Sequence, residues 1–525
     1  MHRALTVPEL LDEIFSYYHS TYGERRGRSR AKRRTLLTLA TACSTFQDHA
    51  IAALWRRVIG FRRPILCFLR NGAKSPLLPA TEDKWDELGW KLCQSISSED
   101  WLRFEKRASH IREIMIGYGD FQGISIFMAF LSVKYLPRGS QGHLFSKLRT
   151  LNWKGDHLTE WPFIHLFASP SLRSLAFWFD EKEADISSSL QSTLEYYFPS
   201  LTCLKFNEFD FYPRTDEYFT TFTRVIESHS CWKLETFHGD AMDASALHHL
   251  SRMPNLKVLT IRIVTYSGGI VSDNGFSKLR SLKISSWSFD PIISLFRSAR
   301  MPLETIQLEV LREPPTISQS MLQDVIFLIA SQPCHGSLTK LTILTDAIPD
   351  RFDSTMDNTI LRQLFVFCHL YYLRLEAVCT FDLKDDDLIE LAAAWPNLNG
   401  LVLNYHHGWK HTSAITFTGL ASLLRGCPLM DTLSLSMDAT RLDFGFLTTP
   451  GEDALNHRIH HLNLGDSIIE DPVTVAMILD DLFGSLEQVD AWSGVRHRED
   501  ERSHYQILWA QVNTVLKALP EGESD

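Results

Sequence analysis

Apolar residues recur along most of this chain with one spacing, L-x-x-L-x-L, other apolar side chains being admitted at the same three places. The copies are Leu148-Leu151-Trp153, Leu172-Leu175-Phe177, Leu201-Leu204-Phe206, Leu256-Leu259-Ile261, Leu279-Leu282-Ile284, Leu303-Ile306-Leu308, Leu338-Leu341-Ile343, Leu370-Leu373-Leu375, Leu398-Leu401-Leu403, Met430-Leu433-Leu435 and Ile459-Leu462-Leu464. Weaker copies start at Ile111, Leu234 and Leu486. Alternate side chains of a strand share a face, so the last two apolar residues of each copy point into one core. The first covers that core from the preceding turn. Between copies the spacing turns helical. Asp290 is expected to cap a helix with Pro291 at its first position. Asp385, Asp386 and Asp387 stand at the start of a helix that carries Leu388, Leu391 and Ala392. Thr418, Leu420, Leu423 and Leu424 form another, with Gly426 as its stop. One strand–turn–helix unit cannot bury its apolar face alone, and stacked units can. The pattern therefore predicts an α/β solenoid with a parallel sheet on one side.

These motifs resemble leucine-rich repeats over roughly residues 111 to 495, with successive starts 22 to 37 residues apart. The family usually places Asn or Cys eight residues after the first leucine. Here those places hold Asp156, Asp180, Phe209, Val264, Trp287, Leu311, Asp346, Val378, His406, Asp438 and Ser467. An irregular curvature is expected.

The first seventy residues follow another rule. Leu10, Leu11, Ile14 and Phe15 stripe one helix that begins after Thr6. A second, from about Thr35 to Trp55, carries Leu36, Leu39, Cys43, Phe46, Ala50 and Leu54 on one face. Helices so short and so few build no large core, and their stripes suit docking on a partner's helices. Pro8, Glu9, Leu10, Leu11, Ile14 and Phe15, followed by Leu39, Cys43, Phe46, Ala50, Leu54 and Trp55, resemble an F-box of the type abundant in mushroom-forming fungi. Asp100-Trp101-x-x-Phe104, Ala108, Ile111 and Ile114 resemble the segment that leads such proteins into their repeats. Val7 replaces the usual leucine before the proline, and the inter-helix loop is enlarged by a basic run. The resemblance implies that Val7, Pro8, Leu10, Leu11, Ile14, Phe15, Leu36, Leu39, Cys43, Phe46, Ala50, Leu54 and Trp55 bind the acidic adaptor subunit of a cullin-based (SCF-type) ubiquitin ligase. It also implies that the repeats hold an unknown target protein. The alternative is a leucine-rich-repeat interaction scaffold unconnected to ubiquitin, its leading helices merely capping the repeats. The expected division is an F-box-like helical module at 1–70 with a basic loop at 24–34, a linker and helical cap at 71–110, the solenoid at 111–500, and a capping helix with an acidic tail at 501–525. The capping helix is read from Tyr505, Leu508, Trp509, Val512, Val515, Leu516 and Leu519.

Charge sharpens this division. Residues 1–75 hold 14 Lys/Arg against 5 Asp/Glu, and the remaining residues 39 against 58, within a net charge of −10. The two parts are expected to meet different partners. Arg25, Arg26, Arg28, Arg30, Lys32, Arg33 and Arg34 form a solvated loop or a nuclear import signal; without interleaved aromatic residues a nucleic-acid groove is not expected. Nine dispersed cysteines with no C-x-x-C pair point to thiols in a reducing compartment, cytoplasmic or nuclear. No membrane span is expected: Phe121 to Leu136 is too short and is interrupted by Lys134. Glu9, Asp12 and Glu13 fall where an export signal needs an apolar segment.

No G-x-S-x-G, G-x-x-x-x-G-K or H-E-x-x-H occurs, so neither catalysis nor a cofactor is expected. His406, His407 and His411 lack a carboxylate or thiol spaced to complete a metal site. A target is expected on the outward face of the strands, where Lys154, Trp178, Lys205, Arg262, Lys283, Glu309, Arg374, Glu376 and Asn404 lie between or just after the motif residues.

Overall fold

A computed structural model describes residues 7–18, 26–60, 97–117, 119–120, 128–129, 131–132, 143–154, 160–178, 187–207, 226, 233–239, 242–263, 275–311, 319–345, 355–377, 379–406, 408–442, 455–493 and 499–519. The chain divides into two compact units, Met1–Asp240 and Ala241–Asp525.

The first unit opens with α1 (Pro8–Ser16), α2 (Arg26–Ala42) and α3 (Ser44–Trp55). The sequence suggested one helix from Thr35 to Trp55. Instead Cys43 is extended and caps α3, its carbonyl accepting from the Phe46 and Gln47 N–H groups. Ser44 and Thr45 come directly after it, and short hydroxyl side chains favour helix caps over interiors. The basic run, expected as a loop, is helical from Arg26 onwards. Arg, Lys, Ala and Leu are strong helix formers, and the Thr35 and Thr38 hydroxyls each donate to a carbonyl four residues back. Leu11, Phe15, Leu36 and Ala50 are buried together, with Tyr18, Leu39, Ala40, Phe46, Ala53 and Leu54 packed around them. The three helices thus do close a small core of their own.

Six parallel strands come next in sequence order: β1 (Arg57–Ile59), β2 (Glu113–Ile116), β3 (Thr150–Trp153), β4 (Ser174–Trp178), β5 (Cys203–Asn207) and β6 (Thr236–His238). The sheet therefore starts before the expected residue 111, inside the segment assigned to the helical module. Val58 pairs with Ile114, so Trp55, Val58 and Gly60 occupy the three motif places, and a glycine at the third hid the pattern. The helix Ser98–Ala108 precedes β2 and buries Trp101, Phe104 and Ala108. Its N-terminus is a capping box in which Ser97 Oγ accepts from Asp100 N–H and Asp100 accepts from Ser97 N–H. Aromatic rings replace leucine at the third motif place, and Phe177 meets Phe206 at 6.0 Å.

The second unit repeats the rule at greater length. Its strands are β7 (Val258–Ile263), β8 (Ser281–Ser286), β9 (Thr305–Val310), β10 (Lys340–Thr345), β11 (Thr355–Asp357), β12 (Tyr372–Glu376), β13 (Thr380–Asp382), β14 (Gly400–Leu403), β15 (Thr432–Ser434), β16 (His461–Asn463) and β17 (Gln488–Asp490). β11 pairs with β13 alone. The others form a parallel sheet in the order β7-β8-β9-β10-β12-β14-β15-β16-β17. Leu259, Leu282, Ile306, Leu341, Leu373, Leu401, Leu433, Leu462 and Val489 stand in one register line, all buried. Each contributes on the order of 1.5–3 kcal/mol. Strand–return repeats with inward motif leucines are the arrangement of an α/β leucine-rich-repeat solenoid.

Return helices run over Ala244–Ser251, Asp290–Ser298, Gln319–Ala330, Asp385–Ala394, Phe417–Gly426 and Pro472–Leu482. Phe289, not Asp290, occupies the cap of the second, a one-residue shift of boundary. Gly426 ends its helix but has no left-handed backbone. A Cβ there would lie 2.5 Å from the Ala392 Cβ, so the glycine serves close helix approach rather than a glycine stop. The helix Glu499–Leu516 covers β17: Val489 N–H donates to Asn513 Oδ1, and Asn513 Nδ2 donates to the Val489 carbonyl, both at 2.8 Å. An open strand edge is satisfied in this way.

Candidate functional site

Two surfaces present side chains that are at least half-exposed. The first is on α1. Pro8 lies in its first turn and Glu9 complements the positive end of the helix dipole. The helix has two apolar stripes. Leu11 and Phe15 face inward at 2% and 3% exposure, Phe15 meeting Phe46 edge to face at 5.9 Å. Val7, Leu10 and Ile14, at 3-4 spacing, face solvent at 37%, 42% and 43%, and Tyr17 continues their line. Asp12 Oδ1 meets His49 Nδ1 at 2.6 Å, tying α1 to α3.

This sorts the residues expected to meet an adaptor. Val7, Pro8, Leu10 and Ile14 are exposed, whereas Leu39, Cys43, Phe46, Leu54 and Trp55 are half-buried. Leu11, Phe15, Leu36 and Ala50 are buried in the module and open no surface, a correction that stems from its closing its own core. Leu37, exposed on α2, carried no signal in the stripe pattern. The module is tied to the helix Ser98–Ala108. Arg107 lies 5.6 Å over the Trp55 ring, and Lys106 Nζ is 3.3 Å from Asp48 Oδ1.

The second surface is the outward face of the strands. In the first unit Lys154, Trp178 and Lys205 are half-exposed there, Lys205 standing beside Ala176 in the register. In the second unit Arg262, Ser285, Glu309, Leu344 and Glu376 form one line across β7 to β12. Thr260, Lys283, Gln307, Thr342 and Arg374 form the adjacent one. Lys283 Nζ lies 2.7 Å from Glu309 Oε1, and Ser285 and Gln307 also donate to that carboxylate. Burial alone would raise the Glu309 pKa, but these donors and the Lys283 charge outweigh it and hold the group below its ordinary value.

Two expected target residues are corrected. Glu376 and Asn404 are buried, at 3% and 1% exposure. Glu376 accepts from Arg374 at 3.1 Å and from the His406 N–H at 3.2 Å. Asn404 adopts a left-handed backbone with φ 54°. It accepts from Ala377 N–H at 2.9 Å and donates to the Cys379 carbonyl at 2.6 Å. It satisfies backbone groups of the turns that leave the sheet. Asp438 and Ser467, at the place of the family's asparagine, do similar work: Asp438 accepts from Thr440 N–H, and Ser467 from Met437 N–H.

Sequence reasoning missed Lys340, Tyr372, Tyr405 and Asp490. Lys340 and Tyr372 come just before the second motif leucine, where alternation also turns them outward, so the period-2 rule contained them. Lys340 Nζ lies 4.6 Å over the Tyr372 ring. A Cβ on Gly400 would come within 2.5 Å of that ring, so glycine makes room for it. Burial, the charges of Asp490 and Glu376 and a hydrogen bond with Asp490 raise the Tyr405 pKa. His411 Nδ1 contacts the Trp409 carbonyl, and His407 is outside the described residues. Among the described residues no three His, Cys, Asp or Glu side chains gather as metal ligands, and no helix is long and apolar enough to cross a membrane.

No family model matches this chain, and no curated protein matches it. Among solved structures, an internalin of Listeria monocytogenes is similar, with 13% identity, 79% of this chain and 98% of the other covered, and a TM-score of 0.31.

Proposed function

We propose that this chain is the substrate-recognition subunit of a cullin-based, SCF-type ubiquitin ligase, α1 docking on the adaptor and the strand face holding a target protein. The observation that carries this reading is the line Val7, Leu10, Ile14 and Tyr17. It is apolar and exposed on a module whose other stripe already closes a core. An apolar helical stripe left in water fits a groove between a partner's helices. The excess of cations in residues 1–75 suits an acidic adaptor and favours rapid encounter with it.

The test is affinity purification of the full chain with mass-spectrometric identification of its partners. Leu10→Asp combined with Ile14→Asp is expected to abolish recovery of the adaptor while circular dichroism and thermal unfolding stay as in the parent. Leu11→Asp is the wrong probe, because it buries a charge in the module core. Adaptor recovery that survives the double change counts against the ligase role.

A second reading, an interaction scaffold with a helical cap, is favoured by the run of α3 into β1 and by the Arg107–Trp55 and Lys106–Asp48 contacts. It expects no adaptor from the parent chain, and it expects deletion of residues 1–55 to unfold β1 and β2.

A further inference from the structure

We infer that the outward face of β7 to β12 in the second unit is a seat for an acidic, extended segment of a partner protein. The inference deepens the reading of the strand face as a target surface and is independent of any link to ubiquitin.

Its outward positions carry four cations, Arg262, Lys283, Lys340 and Arg374, against two carboxylates, Glu309 and Glu376. Both carboxylates are committed within the face. Glu309 is held by Lys283, Ser285 and Gln307, and Glu376 is buried against Arg374 and the His406 N–H. They fix Lys283 and Arg374 in place and offer little to a ligand. Lys340 has no carboxylate partner among the described residues and rests over Tyr372. All four cations are half-exposed.

The seat has a limit. Beyond β12 the outward positions Gly400, Val402, Ser434 and Asn463 are buried, while Thr432, His461 and Gln488, in line with Gly400, stay half-exposed or exposed. The Tyr405 side chain is hydrogen-bonded to Asp490 there, so this part of the face ends in an acidic group.

Charge complementarity selects the occupant. Residues 76–525 hold 39 Lys/Arg against 58 Asp/Glu, so a positively charged face is a local reversal on an acidic body. An acidic segment is repelled elsewhere and attracted here, which gives specificity and rate. A ligand lying on the face of a sheet cannot pair with strand backbone, whose hydrogen bonds run within the sheet. Recognition must come from side chains, and those on the face are cations, small hydroxyl and amide groups, and the half-exposed Val258, Leu344 and Tyr372.

The experiment uses the full chain and a fluorescein-labelled decapeptide of alternating Glu and Gly, read by fluorescence anisotropy at low and high salt. Its Gln–Gly counterpart is the comparison. The Glu peptide is expected to bind, to weaken with salt, and to exceed the Gln peptide. Lys340→Glu is expected to lower its affinity on the order of tenfold, and Arg425→Glu, an exposed cation on the helix Phe417–Gly426, to leave it unchanged. Lys340→Gln provides a milder second variant should the reversal unfold the chain. Equal binding of the two peptides, no loss in either Lys340 variant, an equal loss in Arg425→Glu, or tighter binding of a single-stranded oligonucleotide would overturn the inference. Adaptor recovery by the Lys340 variants is expected to remain as in the parent. The ligase reading can therefore fail while this one stands, and the reverse.

Discussion

Glu309 shows how one side chain joins stability to recognition. Its folded pKa lies below the ordinary value near 4.5, the donors Lys283, Ser285 and Gln307 outweighing the effect of burial. A depressed carboxylate stabilises the fold fully above its unfolded pKa, and the contribution is lost as pH falls through the folded one. Glu309→Gln is therefore expected to lower the urea midpoint of unfolding at pH 7 relative to the parent. The difference should shrink as the pH is taken below the carboxylate range, because the parent then loses the same charge. A midpoint difference that is constant from pH 7 to pH 3 would mean that the carboxylate charge plays no part. At this scale legibility depended on backbone. Lys283, Glu309 and Arg374 could be placed outward from alternation alone, because regular strands obey it. Asn404 could not: it comes directly after the last motif leucine as Glu309 does, but the chain there has left the strand in a left-handed turn that sequence spacing does not encode.

Elements are joined by contacts with no signature in hydrophobic spacing. The helix Asp385–Ala394 packs on the helix Phe417–Gly426 through Gly419 and Gly426, seven residues apart, which meet Asp385 and Ala392, also seven apart. The three aspartates at 385–387 were legible as a helix start, but not their division of labour. Asp387 accepts from the Lys384 N–H at 3.0 Å, capping its own helix, and from Asn358 Nδ2 at 2.7 Å, which ties it to the preceding segment. Asp385 instead accepts from the Thr416 N–H and hydroxyl, both at 2.7 Å, and serves the next one. A Cβ on Gly419 would lie 2.9 Å from the Asp385 Cα and overlap its carboxylate. Gly419→Ala gains helix propensity, which alone would raise stability. Here overpacking is expected to win, with a net loss of about 1–3 kcal/mol in chemical denaturation. A variant as stable as the parent would show that the two helices can separate at no cost.

Over the whole chain, stability is divided between cores of different kinds. In the repeats each strand rests on its two neighbours, so a lesion is felt locally first. Leu341 is buried at the centre of β8, β9, β10, β12 and β14, with Ile306 and Leu373 beside it in the register. Leu341→Ala is expected to cost about 2–5 kcal/mol by opening a cavity. Phe15→Ala, in the helical module, is expected to cost about 3–5 kcal/mol of a core that is far smaller. Hydrogen exchange read by mass spectrometry separates the two. Leu341→Ala should speed exchange in β9, β10 and β12 and leave α1 to α3 as in the parent. Phe15→Ala should release α1 and α3, which the Phe15–Phe46 and Asp12–His49 contacts join, and leave β9 to β12 protected. The contrast comes from how far each residue's packing reaches, since local opening needs only the free energy of the contacts broken. Uniform acceleration across both regions in either variant would mean that the chain opens as one cooperative body. The motif leucines would then be supporting far more than the strands on either side of them.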